Sequence, residues 1–376
     1  MRHRKALDNG VVHDLTFIRD VLGNVSGSTD AEGAHSYTYD KLGQLATVTH
    51  GQPTLQPNEY YTYDAVGNRL TSHLSSTYLY SYMGTAGNRL TQNQQFTYDY
   101  DNEGNLIQIT DRGTGAKTSL SFDHRNRVTG IQSADSVIPN NSVHYTYDLA
   151  NRRILALENG ATSSYSYEGQ NPVLRLTASG SIDSRRLYSF TLDDVLADDS
   201  NLQARFFLRD QNGTSRDLVG PSAGVANHYT YDSFGRLPGQ SHPDAKNDLL
   251  FTGREYSFAT RLFYNRARLF DPSNGRFYSE DALFPFRYVY ALNNPLVISD
   301  PLGQSELGDL LNTVTKIVQG YAKRDKIKKV CAGVIIGVKI VTTVLSPGDY
   351  DPSKALLDFD SARRRAYQEA AKECFK

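Results

Sequence analysis

Apolar and polar residues alternate along much of the chain, in short runs that are interrupted by turn-forming residues. In the stretch YTYDKLGQLATVT, Tyr37 and Tyr39 lie two positions apart, so on a strand both side chains face the same side. Asp40 and Gly43 follow and favour a tight turn, because aspartate accepts backbone N–H groups and glycine adopts positive φ without strain. Alternation then resumes at Leu45. The stretch therefore predicts an antiparallel β-hairpin.

The same hairpin pattern recurs with a period of roughly 20 to 25 residues, which is typical of repeat architectures. Each hairpin is too small to bury a face alone, so the repeats are expected to stack into a continuous sheet. Two units carry asparagine in place of glycine, because asparagine also tolerates positive φ, and a unit at Gly87 lacks the aspartate. The turn residues are Asp20 and Gly23, Asp40 and Gly43, Asp64 and Gly67, Asp101 and Gly104, Asp123 and Asn126, Asp148 and Asn151, and Asp232 and Gly235.

The pattern changes after Gly303. Apolar residues from Leu307 to Tyr321 recur at helical spacing and predict an amphipathic helix, and small residues from Ala362 to Cys374 predict a last helix. Between them lies an apolar segment, Val330–Leu345, which is interrupted by Lys339 and two threonines. This segment is short for a membrane span. A buried helix, a strand rich in β-branched residues and a membrane-contacting segment all remain open.

Composition narrows the classes of function. The 376 residues carry a net charge of −1, so no nucleic-acid binding is predicted. Tyrosine occurs 25 times and tryptophan is absent. Tyrosine suits half-buried strands, and stacking of its ring on a glycan is the open alternative. Cys331 and Cys374 are too few for a disulfide scaffold, and a single bridge or two free thiols both remain open. No metal-ligand spacing or cofactor motif is evident, so no cofactor is predicted.

Two groups of motifs resemble the Rhs/YD-repeat family, which includes bacterial polymorphic toxins, the C components of insecticidal toxin complexes and the teneurins. Units of the form Y-x-Y-D-x-x-G-[NR]-L are similar to YD repeats. The stretch Leu250–Gly303 is similar to the Rhs-associated core and contains the motifs TGRE, YNRAR, FDPSNGRF, SED, YALNNP and DPLG.

The resemblance implies a mainly β fold. Stacked antiparallel hairpins would form a winding sheet, or partial shell, followed by a small α-helical C-terminal segment. The implied domains are YD repeats over residues 1–240, the Rhs-associated core over residues 241–304 and a variable helical tail over residues 305–376.

In toxin-type members of this family, the core resembles an aspartyl protease that cleaves its own chain just after the terminal D-P-x-G motif. Such chemistry needs two nearby carboxyl groups, one holding a proton and the other activating water. The matching residues are Asp281 and Asp300, with Arg276 near the first and able to tune its pKa. Cleavage is expected near Gly303 and Gln304.

Three features depart from the family pattern. The proline and glycine that usually follow the first aspartate are absent after Asp281, and the interval to Asp300 is a few residues short. Gln304 stands where the family has an apolar residue. The alternative interpretation is that both aspartates only cap turns.

The resemblance also implies a function. The chain would be the C-terminal part of a polymorphic toxin, whose shell and core encapsulate or present the tail as a variable effector. Implied partners are the tail itself, an immunity protein, and a secretion apparatus or an N-terminal shell partner. The first ten residues contain no apolar core of a secretion signal, so secretion or surface display is expected through a specialised system or a longer protein. A non-enzymatic adhesive protein that binds glycan or a partner protein is the alternative.

Overall fold

The computed structural model describes residues 2–7, 10–54, 56–82, 87–133, 142–200, 203–222, 224–245, 247–281 and 288–304. The predicted tail helices, the segment Val330–Leu345 and both cysteines lie outside these residues. Met1–Ile18 and Val25–Gln304 form one compact unit, while the turn Arg19–Asn24 belongs to a second. Within the described part of the chain, no helix is long and apolar enough to cross a membrane.

The described residues form three antiparallel sheets, and strands that are consecutive in sequence are neighbours in space. The first sheet contains β1 (Arg2–Leu7), β2 (Gly10–Arg19), β3 (Val25–Asp30), β4 (Gly33–Tyr39), β5 (Leu45–Thr49), β6 (Glu59–Tyr63) and β7 (Arg69–Ser72). The second contains β8 (Tyr78–Ser81), β9 (Arg89–Asn93), β10 (Phe96–Tyr100), β11 (Leu106–Asp111), β12 (Lys117–Phe122), β13 (Val128–Ser133), β14 (Ser142–Tyr147), β15 (Arg153–Glu158), β16 (Ala161–Glu168), β17 (Asn171–Thr177), β18 (Ile182–Tyr188), β19 (Val195–Asp198), β20 (Arg205–Arg209), β21 (Ser215–Val219), β22 (Val225–Thr230) and β23 (Gly239–Gln240). The third contains β24 (Glu255–Ser257), β25 (Leu262–Asn265), β26 (Arg268–Asp271) and β27 (Arg276–Phe277). Two short 3-10 helices span Phe251–Gly253 and Ala291–Asn293. The predicted mainly β, antiparallel fold is confirmed for these residues.

The repeated turns are held by their aspartates. Asp64 Oδ1 accepts hydrogen bonds from the backbone N–H groups of Val66 (2.9 Å) and Asn68 (2.8 Å), and Oδ2 accepts one from the Asn68 side chain (2.9 Å). Gly67 has φ of 84°, as the predicted turn requires. Where asparagine replaces glycine, it also has positive φ. These residues are Asn126 (59°) and Asn151 (63°).

The second tyrosine of a repeat links successive hairpins. The Tyr63 hydroxyl donates a hydrogen bond to the carbonyl of Leu45 (2.9 Å), which is the first residue of the strand after the preceding turn. The same register recurs along both long sheets. The other pairs are Tyr39 with Val25, Tyr80 with Arg69, Tyr147 with Val128, Tyr167 with Arg153, and Tyr231 with Ser215. These bonds favour the structural interpretation of these tyrosines and require the polar tip that phenylalanine lacks.

The four-stranded sheet β24–β27 is buried on both faces. Phe263, Phe270 and Phe277 pack in one apolar cluster with side chains of the first sheet and of the last strands of the second. Leu262 and Leu269 pack in another cluster with side chains from β8 to β15. The sheet β24–β27 is therefore the packing centre for both long sheets.

The tyrosine ladder leads to a first prediction. Tyr63→Phe should lower the free energy of unfolding by about 1 kcal/mol, because the Leu45 carbonyl loses a buried hydrogen-bond donor. Tyr60→Phe is the matched control, because Tyr60 lies on the same strand, three positions before Tyr63, with 49 % of its surface exposed. The urea midpoint of each variant measures the difference. Equal midpoints for the two variants would contradict the structural role of the ladder.

Candidate functional site

The turn between β25 and β26 binds the backbone of the DPLG motif. Four consecutive residues, Asn265 to Arg268, donate hydrogen bonds to four consecutive carbonyl groups, those of Asp300 to Gly303. Asn265 Nδ2 donates to the Asp300 carbonyl (3.0 Å), and Arg266 Nη1 donates to that of Pro301. The Ala267 N–H donates to the Leu302 carbonyl (3.2 Å), and Arg268 Nε to that of Gly303 (2.5 Å). We call the segment Asn265–Arg268 the carbonyl clamp.

Gly303 fits the clamp because it has no side chain. Its φ is 63°, and a Cβ atom at this position would lie 2.0 Å from the Asn265 carbonyl oxygen and 3.1 Å from the Arg268 nitrogen. Backbone atoms cannot move aside as a flexible side chain can. The close approach therefore requires glycine both for its conformation and for its size.

The two predicted aspartates meet at a single guanidinium nitrogen of the clamp. Arg268 Nη2 donates to Asp281 Oδ2 (2.9 Å) and to Asp300 Oδ2 (3.0 Å). All three residues are buried, and the Arg268 guanidinium also lies 3.7 Å from the centre of the Phe277 ring. The structure therefore brings Asp281 and Asp300 together, as the family resemblance implied.

Burial controls the charge of this site. It raises the pKa of Asp300; the Arg268 guanidinium lowers that pKa, and the neighbouring Asp281 raises it further. Burial also lowers the pKa of Arg268, against the attraction of the two carboxylates. Burial and the neighbouring Asp281 thus favour the protonated form of Asp300.

The peptide bond between Gly303 and Gln304 is held on both sides. Its carbonyl oxygen accepts the bond from Arg268 Nε, and its N–H donates to Asp300 Oδ1 (3.1 Å). Asp300 therefore also caps a turn, as the alternative interpretation predicted. The same contacts place a guanidinium at the carbonyl oxygen and a carboxyl group at the nitrogen of this peptide bond.

Arg276 lies elsewhere among the described residues. Its guanidinium donates to Asn68 Oδ1 (3.1 Å) and to the Asn88 carbonyl (2.5 Å), and it lies over the ring of Tyr80. The guanidinium between the aspartates is that of Arg268. Arg276 is closer to Asp281 in sequence, but the order of strands β26 and β27 puts Arg268 at the site instead. The signal that could have found Arg268 is the YNRAR motif, which places two arginines at a tight turn.

A family model described as teneurin YD-shell matches residues 3–298 of this chain. The chain belongs to the teneurin YD-shell family. This match agrees with the resemblance of the repeat motifs to YD repeats and covers the two long sheets and most of the core.

Relatives of this YD-shell chain include named toxins and nucleases. The tRNA3(Ser)-specific nuclease WapA of Bacillus spizizenii is 28% identical over 283 residues, which are 70% of this chain and 12% of the relative. The double-stranded DNA deaminase toxin A of Burkholderia cenocepacia is 25% identical over 297 residues, which are 70% of this chain and 20% of the relative. The chain thus spans a small part of the length of these relatives.

Solved structures show the same fold. The crystal structure of TcdB2-TccC3-Cdc42 has a TM-score of 0.63 and 19% identity, covering 85% of this chain and 18% of that one. The crystal structure of TcdB2-TccC3 has a TM-score of 0.64 and 20% identity, covering 80% and 18%. The YD-shell fold of this chain is therefore one that toxin components also have.

A second polar cluster of the YD shell contains atoms that could hold a metal ion. Ligand atoms of Asp30, Glu32 and His35 lie within 4.8 Å of one another. Asp30 is already paired with Arg216 at 2.7 Å, and Glu32 accepts a hydrogen bond from His228. Hydrogen bonds to Asp217 and Glu32 raise the pKa of His228 to about 9, so this histidine is a cation at neutral pH. The acids are thus paired with cations, and the cluster is an ion-pair network that joins β3–β4 to β21 and β22.

The close fit of Gly303 gives a second prediction. Gly303→Ala should open the clamp, so the amide protons of the segment Asn265–Arg268 should exchange with solvent about tenfold faster, equivalent to about 1.4 kcal/mol of local stability. Gly180→Ala is the matched control, because Gly180 also has positive φ but no atom within 4 Å of an added Cβ. Hydrogen exchange measured by mass spectrometry distinguishes the two. Unchanged exchange in Gly303→Ala would show that the clamp does not depend on glycine.

Proposed function

We propose that this chain is the C-terminal part of an Rhs/YD-repeat polymorphic toxin. Its β-sheet shell and core encapsulate or present a variable C-terminal effector, residues 305–376, and the core cleaves the chain after Gly303. The names of two relatives, a tRNA-specific nuclease and a double-stranded DNA deaminase toxin, support a toxin context. The observation that carries the proposal is that the Gly303–Gln304 peptide is held between Arg268 and Asp300, with Asp281 on the same guanidinium.

The proposed cleavage is hydrolysis by two carboxyl groups. Arg268 Nε polarises the Gly303 carbonyl and stabilises the negative charge that develops on its oxygen. Ionised Asp281 takes a proton from the attacking water, whose oxygen bonds to the carbonyl carbon. Asp300 Oδ1 accepts a hydrogen bond from the Gln304 N–H before the reaction. Once water has added and the nitrogen is tetrahedral, protonated Asp300 gives its proton to the nitrogen lone pair as the C–N bond breaks. The products are a Gly303 carboxyl group and a Gln304 amine; the carboxyl group ionises and its proton goes to the amine. Transfer of the proton from Asp281 to Asp300 restores the pair.

The proposed partners follow from the same context. The crystal structures with similar fold contain TccC3 with TcdB2, so an association of this shell with a further shell component is part of the proposal. The proposal also includes an immunity protein that neutralises the effector. It further includes delivery of the protein to the cell surface or outside the cell.

Self-cleavage is tested by intact mass. The wild-type chain should convert into fragments 1–303 and 304–376, whereas Asp281→Asn, Asp300→Asn and Arg268→Lys should slow the conversion by about 100-fold or more, because each removes a group from the reacting bond. Asp99→Asn is the control, because Asp99 is exposed on β10. Circular dichroism checks that each variant keeps its β-sheet signal. A wild-type chain that stays at full mass, or aspartate variants that cleave at the wild-type rate, would refute the proposal.

The effector is tested separately by growth. Expression of residues 304–376 in the bacterial cytoplasm should reduce colony counts after induction, because the proposed effector is then free of its shell. Residues 1–303 are the matched control and should leave growth unchanged. Normal growth with residues 304–376 would contradict the effector role while leaving the self-cleavage untouched.

A further inference from the structure

The contacts to the candidate cleavage site are distributed unequally around the bond. On the N-terminal side, the carbonyl clamp binds each carbonyl from Asp300 to Gly303. On the C-terminal side, the described contact is the one hydrogen bond from the Gln304 N–H to Asp300. The four clamp contacts lie on the N-terminal side, so breaking the bond would leave them in place.

The clamp is itself anchored away from the bond. Arg266 Nη2 donates to Asp193 Oδ1 (2.7 Å), and Arg254 forms an ion pair with the same carboxylate (2.5 Å). Asn265 is the last residue of the buried strand β25, and Arg268 is the first residue of the buried strand β26. The two residues pair with each other in the sheet. Neither support involves residues after Gly303, so cleavage does not remove what holds the clamp.

We propose that the carbonyl clamp is a binding site for a peptide that ends in a free glycine carboxylate, and that its ligand after cleavage is the chain's own new C terminus. This inference rests on the proposed self-cleavage. Water supplies the oxygen of the new carboxylate, and both of its protons end on the new amino group, so no other reactant is needed. The Gly303 carboxylate then stays against Arg268 and blocks the site, and each chain cleaves one bond once.

The chemistry of the site matches this ligand. The new carboxyl group can accept from Arg268 Nε, as the Gly303 carbonyl does. Because Asp281 and Asp300 already share this guanidinium, the new carboxyl group shares a proton with them. The missing side chain at Gly303 is required, because the Asn265 carbonyl oxygen would lie 2.0 Å from any Cβ. The ligand is thus recognised by its backbone, its terminal charge and its lack of a side chain.

The experiment uses the cleaved wild-type protein with both fragments present. Treated with a carboxypeptidase under native conditions, fragment 1–303 should keep its mass, because Gly303 is enclosed, and it should lose Gly303 and Leu302 once unfolded in urea. Asn265→Ala removes the bond to the Asp300 carbonyl and should increase the native trimming rate at least severalfold. Asn102→Ala, in an exposed hairpin turn, is the matched control and should resist trimming as the wild type does.

A second measurement tests the block directly. Cleaved wild-type protein is mixed with the full-length Asp281→Asn chain, which should remain intact because every active site is occupied by its own product. Native trimming of the wild-type fragment at the unfolded rate, or cleavage of the Asp281→Asn chain, would overturn the inference while leaving self-cleavage established. A wild-type chain that never cleaves would overturn the proposed function and this inference with it.

Discussion

The structure depends on a small sheet that has no face of its own exposed to solvent. Strands β25 and β26 carry only buried residues, and their two faces belong to two different apolar clusters. A sheet that is apolar on both faces is not stable when either face is exposed to water, so other elements must cover both faces. The long repeat sheets provide the two coverings. Their hairpins in turn need a buried surface to pack against, because a hairpin alone is marginally stable.

This mutual dependence explains why the repeats use tyrosine. A repeat side chain must fill space against the core and must also fix the position of its hairpin relative to the previous one. The Tyr63 ring is largely buried, and burial raises its pKa, while its hydroxyl reaches the Leu45 carbonyl. Phenylalanine would provide the apolar surface alone. The hydroxyl adds a directional bond at the same point of each repeat, and a directional bond fixes register where apolar packing cannot.

The sequence predicts local chemistry well and long-range partners poorly. The turn at Asp64 and Gly67, and the replacement of glycine by Asn126, follow from groups within a few residues of each other. The approach of Arg268 to Asp300 joins residues 32 positions apart, and it depends on where the chain crosses the turn of a buried hairpin. The periodicity of apolar residues along the sequence does not predict where the chain crosses that turn. Arg276 is nearer to Asp281 in sequence, but its guanidinium contacts Asn68 and Asn88 instead.

The departures of the sequence from the family pattern matter less once the geometry is known. The shorter interval between Asp281 and Asp300, and the missing proline and glycine after Asp281, alter the chain between the two carboxyl groups. The site depends instead on the groups that meet at Arg268. Two buried carboxylates that share one guanidinium carry an excess negative charge, and burying such a charge is costly. Holding a proton on one of them removes the excess, and burial favours Asp300 for this role. These contacts require only that the chain between the two aspartates, whatever its length, still brings both of them to that guanidinium.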